Sequence, residues 1–587
     1  MKYLHKPLAI IALGLFFFLR SNELTAQALP ITIDGQYGDW TTASAKFEDA
    51  TGDVTGLDLL NFSVANDEKY LFIRLEIDEE VVLTDNNTLT LFIDGDNNNQ
   101  TGLSANGIGA ELELRFGDLE GRFYFGNSST GISLEAVGFH HLPNFSNEVF
   151  EMAIARDAMP SGFAPLFSSN TIKLYFRNGV TGDKMPNQGQ TFSYQFDSAT
   201  VEVFQPIDLQ KLSPSHIRLL TWNTLFDGLL DVDRRPHFKQ VLAALKPDII
   251  TFNECWDMTA QQAASLVNEA LPLGNFQSWK SAKLVDGNIT VSRWPILENW
   301  AFYPGHRLHA SLIDLPNDQY DKDFLVINGH LRCCSANAER QLEVDAFANF
   351  IQDAKSPGGE IELPEGTPFV LSGDMNLVGW RQQYTTLVSG DIVNNNVFGN
   401  DAPLDWDGTD LLDVLALQAD QRMAHTWQEE GSQYPPSRLD FQFCSNSVLE
   451  MKKAFVLNTA IMPPDRLDLY GLESDNTFLA ADHLPLVADF EVIGMTESTV
   501  VAEQKKSIVA SPNPVTDYSM LNWKQPQAGE VIFALRQMDG RLLRSWKAFY
   551  GEGDALQMID LQGLPNGTFF IEMNMEGNMR GVVLVKR

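Results

Sequence analysis

The chain has 587 residues, 44% of them hydrophobic and 20% charged, and its 42 basic against 77 acidic side chains give a formal net charge of −35. A chain this long exceeds one ordinary hydrophobic core and predicts about three to four domains. So negative a surface repels polyanions at long range, which weighs against a stable nucleic-acid complex, where basic patches supply the affinity.

Residues 1–28 read as a secretory signal. Lys2 and Lys6 make a basic start, Leu8–Leu19 is a short apolar run, and Ala26-Gln27-Ala28 gives a small-x-small cleavage pattern. The run is shorter than the roughly 20 residues that span a bilayer as a helix. No cysteine stands near the cleavage site to carry a lipid anchor.

Residues 29–200 predict an all-β sandwich. Tyr70–Ile77 sets Leu71, Ile73, Leu75 and Ile77 on one face, and Ala110–Phe116 sets Leu112, Leu114 and Phe116 opposite Glu111, Glu113 and Arg115. Such alternation marks half-buried strands. The loop from Asp94 to Asn99 brings the side-chain oxygens of Asp94, Asp96 and Asn98 together at alternate positions. That suits Ca²⁺, and equally a solvated turn, because the closing bidentate Glu of an EF-hand loop is missing. The stretch 201–215, with Pro206, Ser213 and Pro214, reads as a linker.

From 215 to 492, strands alternate with helical patterns at Gln261–Glu269 and Glu339–Gln352, which predicts an α/β domain. Several apolar runs end in polar side chains. Ile217–Thr221 leads into Asn223, Asp248–Phe252 into Glu254, Phe324–Asn328 into His330, and Phe369–Leu371 into Asp374. Strands that end this way bring their tips to one sheet edge. Oxygen ligands favour a hard cation such as Mg²⁺ or Mn²⁺, and a carboxylate beside an imidazole suits water activation. His306, His309 and Arg293 read as structural rather than catalytic. All four cysteines, Cys255, Cys333, Cys334 and Cys444, fall in this domain. Adjacent Cys333 and Cys334 cannot bridge each other without strain, and pairing of either with Cys255 or Cys444 stays open. A second linker spans Gly494–Lys506, and Ser507–Arg587 reads as a small β domain with a hairpin-turn signal at Met538-Asp539-Gly540-Arg541.

Six segments occur in a telling order: Trp222-Asn223, Asn253-Glu254, Gly329-His330-Leu331, Gly373-Asp374-Met375-Asn376, Arg438-Leu439-Asp440 and Asp482-His483. The order resembles the endonuclease/exonuclease/phosphatase superfamily over about residues 215–492. The resemblance implies a deoxyribonuclease-like four-layer α/β sandwich and Mg²⁺-dependent phosphoester hydrolysis. It makes Glu254 the principal metal ligand, with Asn223 and Asp482 beside it. It also gives Asp374 the attacking water, Asn223 and Asn376 the phosphoryl oxygens, His330 and His483 the scissile phosphate, and Asp440 the His483 ring. The family's usual Gln before the metal-binding Glu is Asn253 here. His330 matches deoxyribonucleases, sphingomyelinases, phosphoinositide phosphatases and deadenylases, and departs from abasic-site endonucleases, which generally carry Tyr.

Two further resemblances complete the expectation. Ile33-Asp34-Gly35 with Asp39-Trp40 resembles the opening of family-nine-type carbohydrate-binding modules, implying a glycan partner. Ala510-Ser511-Pro512-Asn513-Pro514, Leu564–Phe570 and Val583–Arg587 resemble the C-terminal sorting domain of type IX secretion substrates. That implies recognition by the type IX machinery and delivery across a Gram-negative outer membrane, to the medium or the cell surface. The expected protein is a secreted Mg²⁺-dependent phosphoester hydrolase with an N-terminal β-sandwich (29–200), a central α/β sandwich (215–492) and a C-terminal small β-sandwich (507–587). The alternatives are a secreted nuclease scavenging DNA or RNA, and a surface carbohydrate-binding protein whose hydrolase-like domain is inactive. Substrate specificity is expected in the loops Asn394–Leu412 and Met462–Phe478.

Overall fold

A computed structural model describes residues 29–40, 44–199, 201–274, 277–493, 509–511, 513–525, 528–537, 541–551, 553–575 and 578–587. The signal-type segment, the second linker, Pro512 and the turn residues Met538-Asp539-Gly540 lie outside the described residues. The chain divides into two compact units, Met1–Leu404 with Asp410–Val492, and Asp405–Thr409 with Ile493–Arg587.

In the first unit, residues 45–195 build two antiparallel sheets. One orders the strands Ala45–Glu48, Leu59–Asn66, Tyr70–Val81, Asn147–Ala155 and His140–Leu142. The other is seven-stranded and runs through Thr171–Asn178, Leu89–Asp94 and Leu112–Arg115. The alternating faces do what their sequence requires. Leu71, Ile73, Leu75 and Ile77 from the first sheet meet Leu112, Leu114 and Phe176 from the second in one buried core. At the Asp94–Asn99 loop, Asn98 is committed locally: its side-chain oxygen accepts from the Gln100 N–H (3.1 Å) and its own N–H donates to Asp96 (2.9 Å). The third acid beside Asp94 and Asp96 is Glu111, which the sequence reading placed only on a solvent face.

This β domain is welded to the central one. Ile33 exchanges backbone hydrogen bonds with Arg422 and Ala424 (3.0 and 2.9 Å), and Ile31, Ile33, Phe72, Leu142 and Met423 share a small apolar core. Asn144 accepts from the Arg438 N–H at 2.7 Å.

The central domain stacks two six-stranded sheets. One orders Lys280–Ala282, Gly287–Ser292, Ile249–Cys255, Ile217–Asn223, Leu486–Val492 and Leu449–Val456. The other orders Ile296–Trp300, Leu308–Ile313, Phe324–His330, Phe369–Asp374, Asp440–Cys444 and Leu412–Asp413. Helices Arg235–Leu245 and Ala260–Ala270 bury Phe238, Val241, Leu242 and Val267 against the outer face of the first sheet. Thr259 caps the second of these helices in a reciprocal capping box with Gln262. The long helix Asn337–Ala354 packs with Arg381–Ser389. The inward-facing residues change character along each strand. Ile217, Leu219, Ile249, Val326, Val370 and Phe490 form a dry layer between the sheets. Further along, Thr251 and Ser372 share a hydrogen bond (3.0 Å), and Asn253 donates to Asn328 (2.9 Å). The period of two carries the same faces on to Asn223, His330 and Asp374.

One buried ion pair fixes this frame. Arg218 donates to both Asp489 oxygens (2.6 and 2.7 Å) and to the carbonyls of Leu209 and Leu245 (2.7 and 2.6 Å). Arg218→Met leaves a carboxylate buried without its partner, a loss of about 3–5 kcal/mol. Urea denaturation is expected to show that loss; a change below about 1 kcal/mol would rule out this role.

The second unit has sheets ordered Val509–Ser511, Tyr518–Gln525, Gly553–Asp560 and Leu542–Tyr550, Gly529–Gln537, Gly567–Met575, Asn578–Lys586. They enclose Trp523, Phe533, Leu535, Ile559 and Ile571. Residues Gln537 and Leu542, either side of the hairpin-turn signal, belong to paired strands.

Candidate active site

Asn223, Asn253, His330 and Asp374 stand at or near the C-terminal ends of their strands and Asp440 at the start of its antiparallel one, and the registers bring them to the same edge. Asn223 lies opposite Asn253, His330 opposite Asp374, and Asp374 opposite Asp440 on its antiparallel neighbour. Glu254 is the exception to strict alternation. By periodicity it would follow Phe252 to the helix face. A bulge between Phe252 and Cys255 and a left-handed backbone at Glu254 (φ 58°) turn it to the rim. Non-glycine residues adopt that conformation at a cost, and here the Phe226 N–H donates to the turned carboxylate at 2.9 Å.

Asp374 is the hub. Its Oδ2 lies 3.1 Å from Asn223 Nδ2, 3.5 Å from His330 Nε2 and 3.8 Å from His483 Nε2. Its Oδ1 accepts from the Asn376 N–H (3.1 Å), and its own N–H donates to Asn253 (3.1 Å). Asn223 Nδ2 also donates to Glu254 (3.1 Å), while its oxygen accepts from the Leu225 N–H (3.0 Å). The Asn223 carboxamide thus presents its nitrogen to two carboxylates. Asn376, with φ 46°, turns its amide to the Leu331 carbonyl (3.2 Å).

His483 Nδ1 lies 2.7 Å from Asp440 Oδ2, so the ring proton sits on that nitrogen and Nε2 faces Asp374. Thr426 Oγ1 accepts from the Leu439 and Asp440 N–H groups (3.0 and 2.9 Å) and fixes the carboxylate's strand. Burial opposes the His483 charge, but Asp440 and Asp374 outweigh it and push its pKa up to about 10. Burial, together with Arg307 and the His483 charge, holds His330 well below the ordinary imidazole range. The two histidines therefore divide their roles, one cationic and one neutral. Burial chiefly, then Asp440 and Glu254, raise Asp374 to about 7 against the opposing pull of His483.

Asp482 lies at the next corner. Its Oδ2 accepts from Trp427 Nε1 (2.9 Å), and its Oδ1 is buried with no hydrogen-bond partner. Arg234 ties this corner to the Glu254 side by donating to the carbonyls of Thr224, Leu225 and Ala480 (2.7, 2.7 and 2.6 Å). A cleft of about 280 Å³ opens there, lined by Leu225, Arg234, Phe478, Leu479 and Asp482. Carboxylate oxygens with one orphaned among them, and no sulfur, fit a hard divalent cation.

The other candidates have structural partners. His306 pairs with Glu343 (2.8 Å), His309 is buried against Thr290 (3.0 Å), and Arg293 pairs with Asp248 (2.8 Å). None of the four cysteines is disulfide-bonded. Cys255 packs in the helix-side core and Cys444 between the sheets, so the sheet itself separates them. Met462–Phe478 folds largely into the helix Pro464–Tyr470, whose Leu467 is buried, rather than into an open loop. Trp427, Thr426 and Arg234 went unread in the sequence. They act through hydrogen bonds to other segments of the chain, and no local pattern marks them.

The strand tips thus carry the equipment of a metal-assisted hydrolase. The sequence profile of the Endonuclease/Exonuclease/phosphatase family matches residues 220–459. Residues 220–459 therefore match a domain of that family, which supports a hydrolase acting on phosphoester bonds. Similar solved structures include an endonuclease/exonuclease/phosphatase from Beutenbergia cavernae (16% identity, 63% of this chain, 100% of that chain, TM-score 0.29). They also include ANGEL2, a 2',3'-cyclic phosphatase, in complex with adenosine-2',3'-vanadate (15%, 47% and 96%, TM-score 0.32). A third is a Staphylococcus aureus beta toxin variant with bound magnesium ions (16%, 46% and 99%, TM-score 0.30). No curated protein matches.

Proposed function

We propose that the protein is an exported, Mg²⁺-dependent phosphoester hydrolase that uses in-line attack by water. The observation that carries this reading is the continuous chain Asp440–His483–Asp374–Asn223–Glu254, which joins a cationic imidazole to an acidic corner. Glu254, with Asp482, would hold the cation, and Asn223, whose amide nitrogen faces Glu254 and Asp374 rather than offering them its oxygen, would orient the two carboxylates instead of serving as the metal ligand the sequence suggested. The bound ion supplies charge for the developing oxyanion. Asp374 orients the water and accepts its proton, and its raised pKa suits a base near neutrality. His483, kept protonated by Asp440, meets a phosphoryl oxygen. Neutral His330 and Asn376 hold the others. Positioning and preorganised charge do the work, without a covalent intermediate.

The test is a panel on the whole protein with Mg²⁺, Mn²⁺ or EDTA: p-nitrophenyl phosphate, bis-p-nitrophenyl phosphate, plasmid DNA, RNA, sphingomyelin and phosphoinositides. Activity on at least one ester, lost in EDTA, is expected. Metal-independent turnover, or none on any ester, would refute the proposal. Dominant DNA or RNA cleavage would select the scavenging nuclease instead. A glycan role for the N-terminal β domain rests on its opening segment alone, and glycan-array binding by the whole protein would test it. The calcium reading there shifts from Asp94, Asp96 and Asn98 to Asp94, Asp96 and Glu111.

Export rests on the two terminal segments. Mass spectrometry of protein collected from the culture medium or cell surface is expected to show an N-terminus near Gln27 or Leu29 and a tail removed or modified beyond residue 493. A full-length chain confined to the cell interior would contradict it.

A further inference from the structure

A second acidic cluster lies in the N-terminal β domain, remote in sequence from every active-site segment. Ligand oxygens of Asp49, Asp53 and Asp183 all lie within 4.8 Å of one another. Asp58 stands near them, close enough for its charge to act on both Asp49 and Asp183. It is 1% exposed, and its Oδ2 accepts from the Gly52 N–H (2.6 Å), inside the turn that carries Asp49 and Asp53. Its other oxygen, Oδ1, is buried without a partner, and so is Asp49 Oδ2. Burial first, and then the charges of Asp53 and Asp58, raise the pKa values of both Asp49 and Asp183. Among the described residues no lysine or arginine is ion-paired with any of the four, whereas Asp94 in the neighbouring cluster has Lys173 at 3.5 Å. Asp183 is held by the Leu59 and Lys184 N–H groups and Asp49 by the Asn187 amide (2.6 Å), but two orphaned oxygens among carboxylates with no basic partner are expensive in a folded domain.

We infer that Asp49, Asp53, Asp58 and Asp183 bind a calcium ion. Several carboxylates from separate segments suit the larger, more flexible coordination of Ca²⁺ better than the strict octahedron of Mg²⁺. The site has a mechanical consequence. Residues 49–58 connect two strands of the five-stranded sheet, while Asp183 directly precedes Lys184–Met185 of the seven-stranded one. Asp183 already accepts from the Leu59 N–H across that gap (2.9 Å). A bound ion would staple the two sheets at this end of the sandwich.

Peptide-resolved hydrogen exchange on the whole protein tests this, with Mg²⁺ present throughout and Ca²⁺ added or withheld. Peptides covering 49–59 and 180–187 should exchange about tenfold more slowly with Ca²⁺, because binding suppresses local opening. Resolution by peptide separates this from any cation at Glu254 or at the Asp94 loop. Asp53→Asn, at an exposed position, should remove the slowing. In EDTA that variant should melt no lower than the parent protein, because it relieves repulsion. Asp58→Asn should also remove the slowing. Three results would overturn the assignment: no slowing in the parent protein, slowing retained in both variants, or an Asp53→Asn protein markedly less stable than the parent in EDTA.

Discussion

Glu254→Gln is expected to reduce turnover about a hundredfold to a thousandfold while leaving the melting temperature nearly unchanged. The substitution keeps the side chain's shape and removes one charge from the proposed metal site. Its stability cost is small because the carboxylate is only partly buried and its neighbours remain satisfied. The Phe226 N–H still finds an oxygen, and the Asn223 amide still donates to Asp374. Activity should recover in part at higher Mg²⁺ or Mn²⁺, as expected when a ligand charge is lost. Steady-state kinetics across a metal titration, with a thermal melt of the same sample, check both halves. A variant retaining most of its activity at low metal would remove Glu254 from the metal site.

The second large effect concerns Asp440 and His483. Asp440→Asn should slow turnover by about a hundredfold or more, since it removes the carboxylate that fixes the ring and keeps it protonated. The sign of the pH effect follows. His483 is raised to about 10 largely by Asp440 and Asp374, so the cationic form persists well above neutrality. Removing the Asp440 charge lowers that value, and the alkaline limb of the rate profile should move to lower pH. If Asp374 accepts the water's proton as proposed, the acid limb is expected to report its deprotonation, with a pKa raised to about 7. Adding His483→Ala to Asp440→Asn should cost little more than His483→Ala alone, because the two act as one unit. Fully multiplicative losses, or an unshifted alkaline limb in Asp440→Asn, would refute the coupled role. A large fall in melting temperature with normal turnover would instead assign Asp440 to the frame.

The sequence by itself predicted that these polar strand ends share one edge, and they do. Apolar runs that close on Asn223, His330 and Asp374 are strands whose inward face changes from dry to polar, and a period of two carries that face to one edge. The order of the six segments added the family. Only the tertiary structure decided how the groups meet. The turn of Glu254 into the site depends on a bulge and a left-handed backbone that alternation does not anticipate. The orientation of the Asn223 amide depends on the Leu225 N–H, and that of Asp482 on Trp427, fifty-five residues before it in the chain. The N-terminal acids show the same division. The spacing in the Asp94 loop was visible, but Asn98 spends its oxygen on its own turn, and Glu111 reaches the cluster from a strand. Asp183 joins Asp49, Asp53 and Asp58 across 125 residues or more of chain. Periodicity reports which face a residue takes; partners brought together from distant segments exist only once both sheets have packed.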